Sequence, residues 1–262
     1  AMESHEDVVF KPLPSRVYLP GTYFSQAADG NCQFSFVSVN NRAIRLRVKR
    51  IAPEKLSTVL EVYKREYLAD GGFKWSGHWG WRKGQALSFD LIPGTQVCDR
   101  VFKPKTGVDE AVKKEFTWEE LLGNDQSGPL FVSIECVGRD GSASSAQVVV
   151  QLTDIGLAWK EAGVGVFVQA FSLRTAKPLA GVEVQVLGAD NLPRATGRTD
   201  AKGRVVLPSK GNGRATRWLS VSHGADHHAI DMDLYFARIS LWPFDVNYGW
   251  GKPEIRKTHL FT

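Results

Sequence analysis

The sequence predicts an all-β chain of two consecutive β-sandwiches, the first interrupted by one amphipathic helix. Three observations predict it. Apolar and polar residues alternate at period two over much of the chain, as at Phe34 and Phe36 and at Ile44, Leu46 and Val48. Only the stretch 53–69 carries a convincing helical period. Turn residues recur at short intervals through both halves and bound segments of strand length. Of the 262 residues, 43% are hydrophobic and 23% charged, which supplies apolar surface for two cores and argues against wholesale disorder.

Residues 1–16 are charged and hold Pro12 and Pro14, so they read as an extended arm or a cloning-derived start. The first sandwich spans 17–151. Pro20-Gly21 turns the chain, and from Asn31 a strand places Cys32, Phe34 and Phe36 on one face with Gln33 and Ser35 on the other. Asn40-Asn41 turns into a second strand, with Ile44, Leu46 and Val48 inside and Arg45, Arg47 and Lys49 outside. That basic stripe reads as the solvated face of an antiparallel sheet.

Pro53 suits the first turn of a helix. Leu56, Val59, Leu60, Tyr63 and Tyr67 then line one face, and Asp70-Gly71-Gly72 ends it. The expectation is that this helix, 53–69, caps one open end of the sheets. Leu87, Phe89 and Leu91 read as a further strand, and 93–128 as irregular with a short helix around Thr117 to Leu122. Leu130, Val132, Ile134 and Cys136 resume the alternation. Arg139-Asp140-Gly141-Ser142 makes a hairpin turn, and Gln147 to Leu152 returns as the partner strand.

A boundary falls at Leu152-Thr153-Asp154, which opens the second sandwich, 152–236. Six strands are expected there: Gly156 to Trp159, Val164 to Leu173, Val182 to Leu187, Gly203 to Leu207, Trp218 to His223 and His228 to Leu234. Many short strands with frequent turns point to an immunoglobulin/fibronectin-like sandwich. Residues 237–262, with Pro243, Gly249, Gly251 and Pro253, read as a linker and the first strand of a following domain.

The net charge of +5, from 33 basic against 28 acidic residues, is spread along the chain and argues against a nucleic-acid partner. No apolar run is long enough to span a bilayer as a helix. The cysteines Cys32, Cys98 and Cys136 form no CxxC, so a structural zinc site is not expected; whether any two are bonded stays open. His223, His227, His228, Asp231 and Asp233 form the best metal-like cluster, with His223 and His228 as weak candidates. Strand alternation separates neighbouring members, so the cluster reads as a polar hairpin tip and a metal site is not expected. Trp75, Trp79 and Trp81 could stack against sugar rings in a carbohydrate- or peptidoglycan-binding module, or pack between sheet and helix. GxSxG, P-loop, HExxH and dinucleotide motifs are all lacking, so neither catalysis nor a cofactor is expected.

Several motifs together resemble the bacterial α2-macroglobulins. In the second half these are the entry Thr153-Asp154-Ile155-Gly156, the turn Lys177-Pro178-Leu179-Ala180-Gly181 and the turn Thr199-Asp200-Ala201-Lys202-Gly203. In the first half they are the strand Arg42-Ala43-Ile44-Arg45-Leu46-Arg47-Val48-Lys49-Arg50 followed by the helix from Pro53. Lys257-Thr258-His259-Leu260-Phe261-Thr262 is similar to the entry strand of another such domain. The resemblance implies two macroglobulin domains from the N-terminal part of a periplasmic protease-trapping inhibitor that defends the cell envelope. It implies proteases as partners of the full-length protein, other envelope proteins for thioester-lacking members, and an inner-membrane anchor upstream. None of the three cysteines opens the CxEQ thioester motif, and neither thioester nor bait region is expected in this stretch.

Overall fold

The computed structural model describes residues 11–19, 21, 23–27, 33–68, 85–124, 127–162, 165–208, 218–232 and 257–260. The first sandwich runs through β1 (Arg16–Tyr18), β2 (Tyr23–Gln26), β3 (Gln33–Val39), β4 (Asn41–Ile51), α1 (Leu56–Val62), β5 (Gly94–Phe102), β6 (Ala111–Thr117), α2 (Trp118–Leu122), β7 (Gly128–Gly138) and β8 (Ala143–Leu152). A three-stranded sheet ordered β1-β3-β6 faces a five-stranded sheet ordered β2-β8-β7-β4-β5. β2 joins β8 in parallel; the other neighbours are antiparallel.

The inner faces meet over Phe34, Phe36, Ile44, Leu46 and Val48, all essentially inaccessible. Trp118 and Leu121 close the core from α2, which starts on a capping box: Glu120 N donates to Thr117 Oγ1 (3.1 Å) and Thr117 N to Glu120 Oε2 (2.7 Å). This is the short helix expected at Thr117 to Leu122.

Three expectations for this half need correction. The supposedly irregular stretch 93–128 contains β5 and β6. Both are sheet-edge strands, and each has a single well-buried residue, Cys98 and Phe116, so the alternation that betrays a strand is nearly absent. Phe89–Leu91 is a 3₁₀ turn, not a strand: Phe89 is buried but Leu91 is 83% exposed. The basic stripe is not uniformly solvated. Arg45 is exposed and pairs with Asp99, whereas Lys49 is buried at 7% exposure. Its Nζ donates to the carbonyls of Phe89 (2.8 Å) and Ile92 (2.9 Å) and lies 4.7 Å from the Phe89 ring centre. Those bonds gather the 3₁₀ turn around the ammonium group, because a buried charge must be hydrogen-bonded.

The helical face is as expected, with Leu56, Val59, Leu60, Tyr63 and Tyr67 all buried. Pro53–Lys55 forms a 3₁₀ turn before α1, and Tyr63–Tyr67 a π-turn after it. The helix does not cap an end of the sheets. It lies on the outer face of the five-stranded sheet, against Ile51, Phe131 and Val149.

The second sandwich comprises β9 (Ile155–Ala162), β10 (Gly165–Ser172), β11 (Glu183–Leu187), β12 (Pro193–Arg198), β13 (Arg204–Leu207), β14 (Trp218–His223), β15 (Asp226–Asp231) and β16 (Lys257–Leu260). Its sheets are ordered β13-β10-β9-β16 and β12-β11-β14-β15, with Leu157, Val166, Val184, Leu219 and Val221 between them. β12 is an unforeseen strand on an edge, exposed along most of its length. β16 pairs antiparallel with β9 from Lys257↔Glu161 to Leu260↔Ala158, so it extends this sheet.

The turn at Thr199-Asp200-Ala201-Lys202-Gly203 works as its composition suggests. Asp200 Oδ1 accepts from the amides of Lys202 and Arg204, both at 2.8 Å. Gly203 has φ 72°, and a Cβ there would come within 2.3 Å of the Ala170 carbonyl oxygen. Gly203→Ala should therefore destabilise the second sandwich by roughly 2 kcal/mol or more, read as a lowered midpoint in thermal or urea unfolding. An unchanged midpoint would mean that the turn is not under this constraint.

Candidate functional site

β8 organises the region that joins the two sandwiches. Val148, Val150 and Leu152 point into the first core. Gln147, Val149 and Gln151 occupy the opposite face, where Val149 packs with the helix and with Leu187, Trp218 and Ala229 of the second sandwich. One apolar cluster thus spans both units, and both faces of β8 are buried.

The polar groups in this seam are paired with care. Gln147 O accepts from Tyr63 Oη (2.8 Å), and Gln147 N donates to Tyr67 Oη (2.9 Å). The two phenols, stacked with ring centres 5.1 Å apart, cap the part of the β8 edge that β2 leaves unpaired, since β2 reaches only Val149 to Leu152. Burial raises the Tyr63 phenol far above its ordinary pKa, so it stays a donor. The Gln147 side chain binds Leu87 in both directions, accepting from its N–H (2.9 Å) and donating to its C=O (2.7 Å).

Gln151 repeats the device across the domain boundary. Its Oε1 accepts from Ala229 N (2.8 Å) and its Nε2 donates to Ala229 O (2.9 Å). A side-chain amide replaces the strand that would otherwise satisfy this edge of β15. Lys64 of the π-turn pairs with Asp231, whose side chain is 1% exposed, and Trp218 Nε1 donates to Glu61 Oε2 (3.2 Å). At the junction itself Asp154 N donates to Asp226 Oδ2 (2.7 Å). Desolvation raises the Asp226 pKa, against the opposing pull of that amide.

His228 also bridges the units. A carbonyl can only accept, so His228 Nδ1 carries the proton it donates to Ile155 O (2.8 Å). Nε2 then accepts from Ser25 Oγ (2.9 Å) on β2 of the first sandwich. Burial lowers the imidazole pKa to about 4, with the bond to Ile155 O acting the other way, so the ring is neutral at pH 7.

The structure splits the expected metal cluster. His223 and His228 share a face of their hairpin, their register partners being Asp226 and Val221, but His223 is exposed and both nitrogens of His228 are engaged. Asp231 is bound to Lys64, and Asp233 lies outside the described residues. Among the described residues no three His, Cys, Asp or Glu side chains converge. Trp75, Trp79 and Trp81 also lie outside the described residues, as does Cys32; Cys98 and Cys136 are both buried. Sequence reasoning missed Gln147, Gln151 and the Lys64–Asp231 pair. The available signal was the unbroken Val148-Val149-Val150, because a run without alternation means both faces are covered.

Residues 152–251 match the family described as the bacterial alpha-2-macroglobulin MG3 domain. The match covers the second sandwich and leaves the first outside it. Solved structures of bacterial alpha-2-macroglobulins share the fold over most of the chain. A native Escherichia coli structure spanning domains MG0-NIE-MG1 is similar at TM-score 0.65 and 15% identity, covering 86% of this chain and 66% of that one. A Salmonella alpha-2-macroglobulin mutant gives TM-score 0.60 and 14% identity over 92% of this chain and 13% of its own. The native E. coli protein seen by cryo-electron microscopy gives 0.52 and 17% over 91% and 14%. The chain therefore spans about one seventh of the latter two. No curated protein matches the sequence. The fold likeness extends over the first sandwich as well, and β9 to β15 lie within the residues that match the MG3 model.

Gln151→Leu preserves shape but strands both Ala229 backbone groups, and should cost about 2–4 kcal/mol in chemical unfolding. Lys64→Met leaves Asp231 buried without its cation; because Lys64 is itself 36% exposed, the expected loss is about 2 kcal/mol. Losses within about 0.5 kcal/mol at both positions would show that these contacts do not hold the seam.

Proposed function

We propose that this chain is a non-enzymatic structural and interaction module of a bacterial alpha-2-macroglobulin, a periplasmic protease-trapping inhibitor. The carrying observation is the seam. Its apolar cluster is continuous across both sandwiches, and Gln151 and Asp231 are each held by a partner across it, as befits a scaffold that moves as a body.

The MG3 match supports the family context, and one similar structure is a trypsin activated alpha-2-macroglobulin from E. coli (TM-score 0.55, 17% identity, covering 88% of this chain and 15% of that one). Proteases would then meet the whole protein rather than this module, with neighbouring domains and other envelope proteins as its direct contacts. No helix among the described residues is long and apolar enough to cross a membrane.

The test is to incubate the chain with trypsin and follow a small chromogenic substrate. Trypsin activity should be unchanged at a several-fold molar excess of the chain. Stoichiometric loss of activity would overturn the reading of this module as scaffold.

A further inference from the structure

We infer that His228 is an acid-sensitive latch of the seam: its neutral ring holds the second sandwich to β2 of the first, and protonation weakens that docking. Position supports this first. Ser25 and His228 are 203 residues apart and belong to different sandwiches, yet Ser25 Oγ closes on Nε2 at 2.9 Å. The imidazole is 5% exposed and both nitrogens are spoken for, so a second proton would have to be accommodated without water.

The ring bonds to no charged group, although Asp226 lies two residues away on the same face of β15 with one carboxylate oxygen buried and without a hydrogen bond. β2 offers a hydroxyl and β9 a carbonyl. β14 presents Val221 opposite, and β8 contributes the neutral Gln151, held by Ala229. Of the charged groups nearby, Asp226 is bound to the Asp154 amide and Asp231 to Lys64, while Glu61 accepts from Trp218. His227 sits next along β15, paired with Ser222. No carboxylate bonds to the His228 ring, and desolvation is the dominant influence on it.

The sign follows from linkage. The docked ring titrates near 4, and a ring released to water titrates near its ordinary value of 6.5. Between those limits the undocked state binds more protons. Docking is therefore complete in strength above pH 6.5 and weakens as pH falls toward 4, by up to roughly 300-fold in the docking constant. Asp226, whose pKa is raised by burial, has the opposite sign and favours the docked state in acid. The informative quantity is thus the difference between the wild-type chain and a variant without the ring. The inference stands whether or not the chain serves in a protease trap.

Solution scattering on the whole chain from pH 7.5 to 5.0 tests it. The wild-type chain should increase in maximum dimension as pH falls, while His228→Gln should keep its neutral-pH profile. A wild-type profile constant to pH 5.0, or a variant that expands in step with it, would overturn the latch. Should His228→Gln fail to fold, the ring can be titrated directly by proton NMR. Coupling is reciprocal, so Gln151→Leu, which loosens the seam without touching the ring, must raise the His228 pKa toward 6.5. A His228 pKa indifferent to Gln151→Leu would equally overturn the proposal.

Discussion

The centre of the five-stranded sheet of the first sandwich, around Phe131 and Val149, is buried on both faces, and the rest of the architecture answers to that constraint. An antiparallel sheet can leave one face in water. Here the helix from Pro53, the 3₁₀ turn at Phe89 and one sheet of the second sandwich together cover the outer face around Phe131 and Val149. Covering it brings polar groups out of water. Lys49, Gln147 and Gln151 all lie on or beside that face, and each is satisfied by backbone atoms of the element covering it. Each such bond adds about 1 kcal/mol, but a missing partner costs more. The pairing therefore fixes register and orientation more than it adds stability.

Gln147 and Gln151 show how position within one strand divides labour. Four residues apart on β8, both direct a side-chain amide across the same face. Gln147 holds Leu87 of its own sandwich, and Gln151 holds Ala229 of the other. Between them Val149 supplies the apolar contact. The same short stretch secures the helix, the 85–92 segment and the second sandwich, so a slip of any one would strand buried donors on the others. An apolar interface alone would tolerate sliding.

Much of this was legible in the sequence. The strands with one buried face, such as Gln33–Val39 and Asn41–Ile51, declare themselves by alternation, and the helix by its buried stripe from Leu56 to Tyr67. The edge strands β5, β6 and β12 were illegible because they bury little. The helix was legible as a helix but not in its placement, which depends on what the sheet offers rather than on the helix's own period. The seam was the least legible part. Lys49 reads as a surface residue by parity, and Gln147 and Gln151 read as the outward positions of a solvated strand. Only contact with elements distant in sequence turns them into interior residues. His228 reads as a metal candidate for the same reason: its real partners, Ser25 and Ile155, are 203 and 73 residues away.

If the seam organises the molecule, the two sandwiches form one rigid body at neutral pH. Residual dipolar couplings measured on backbone amides of the isotope-labelled chain at pH 7.5 address it most directly, because each rigid unit reports its own alignment. A single alignment tensor fitting amides of β3, β4, β7 and β8 together with those of β9, β10, β11 and β14 is the expected result. Two tensors of clearly different magnitude would mean that the sandwiches reorient independently, and the seam would then not be the organising contact.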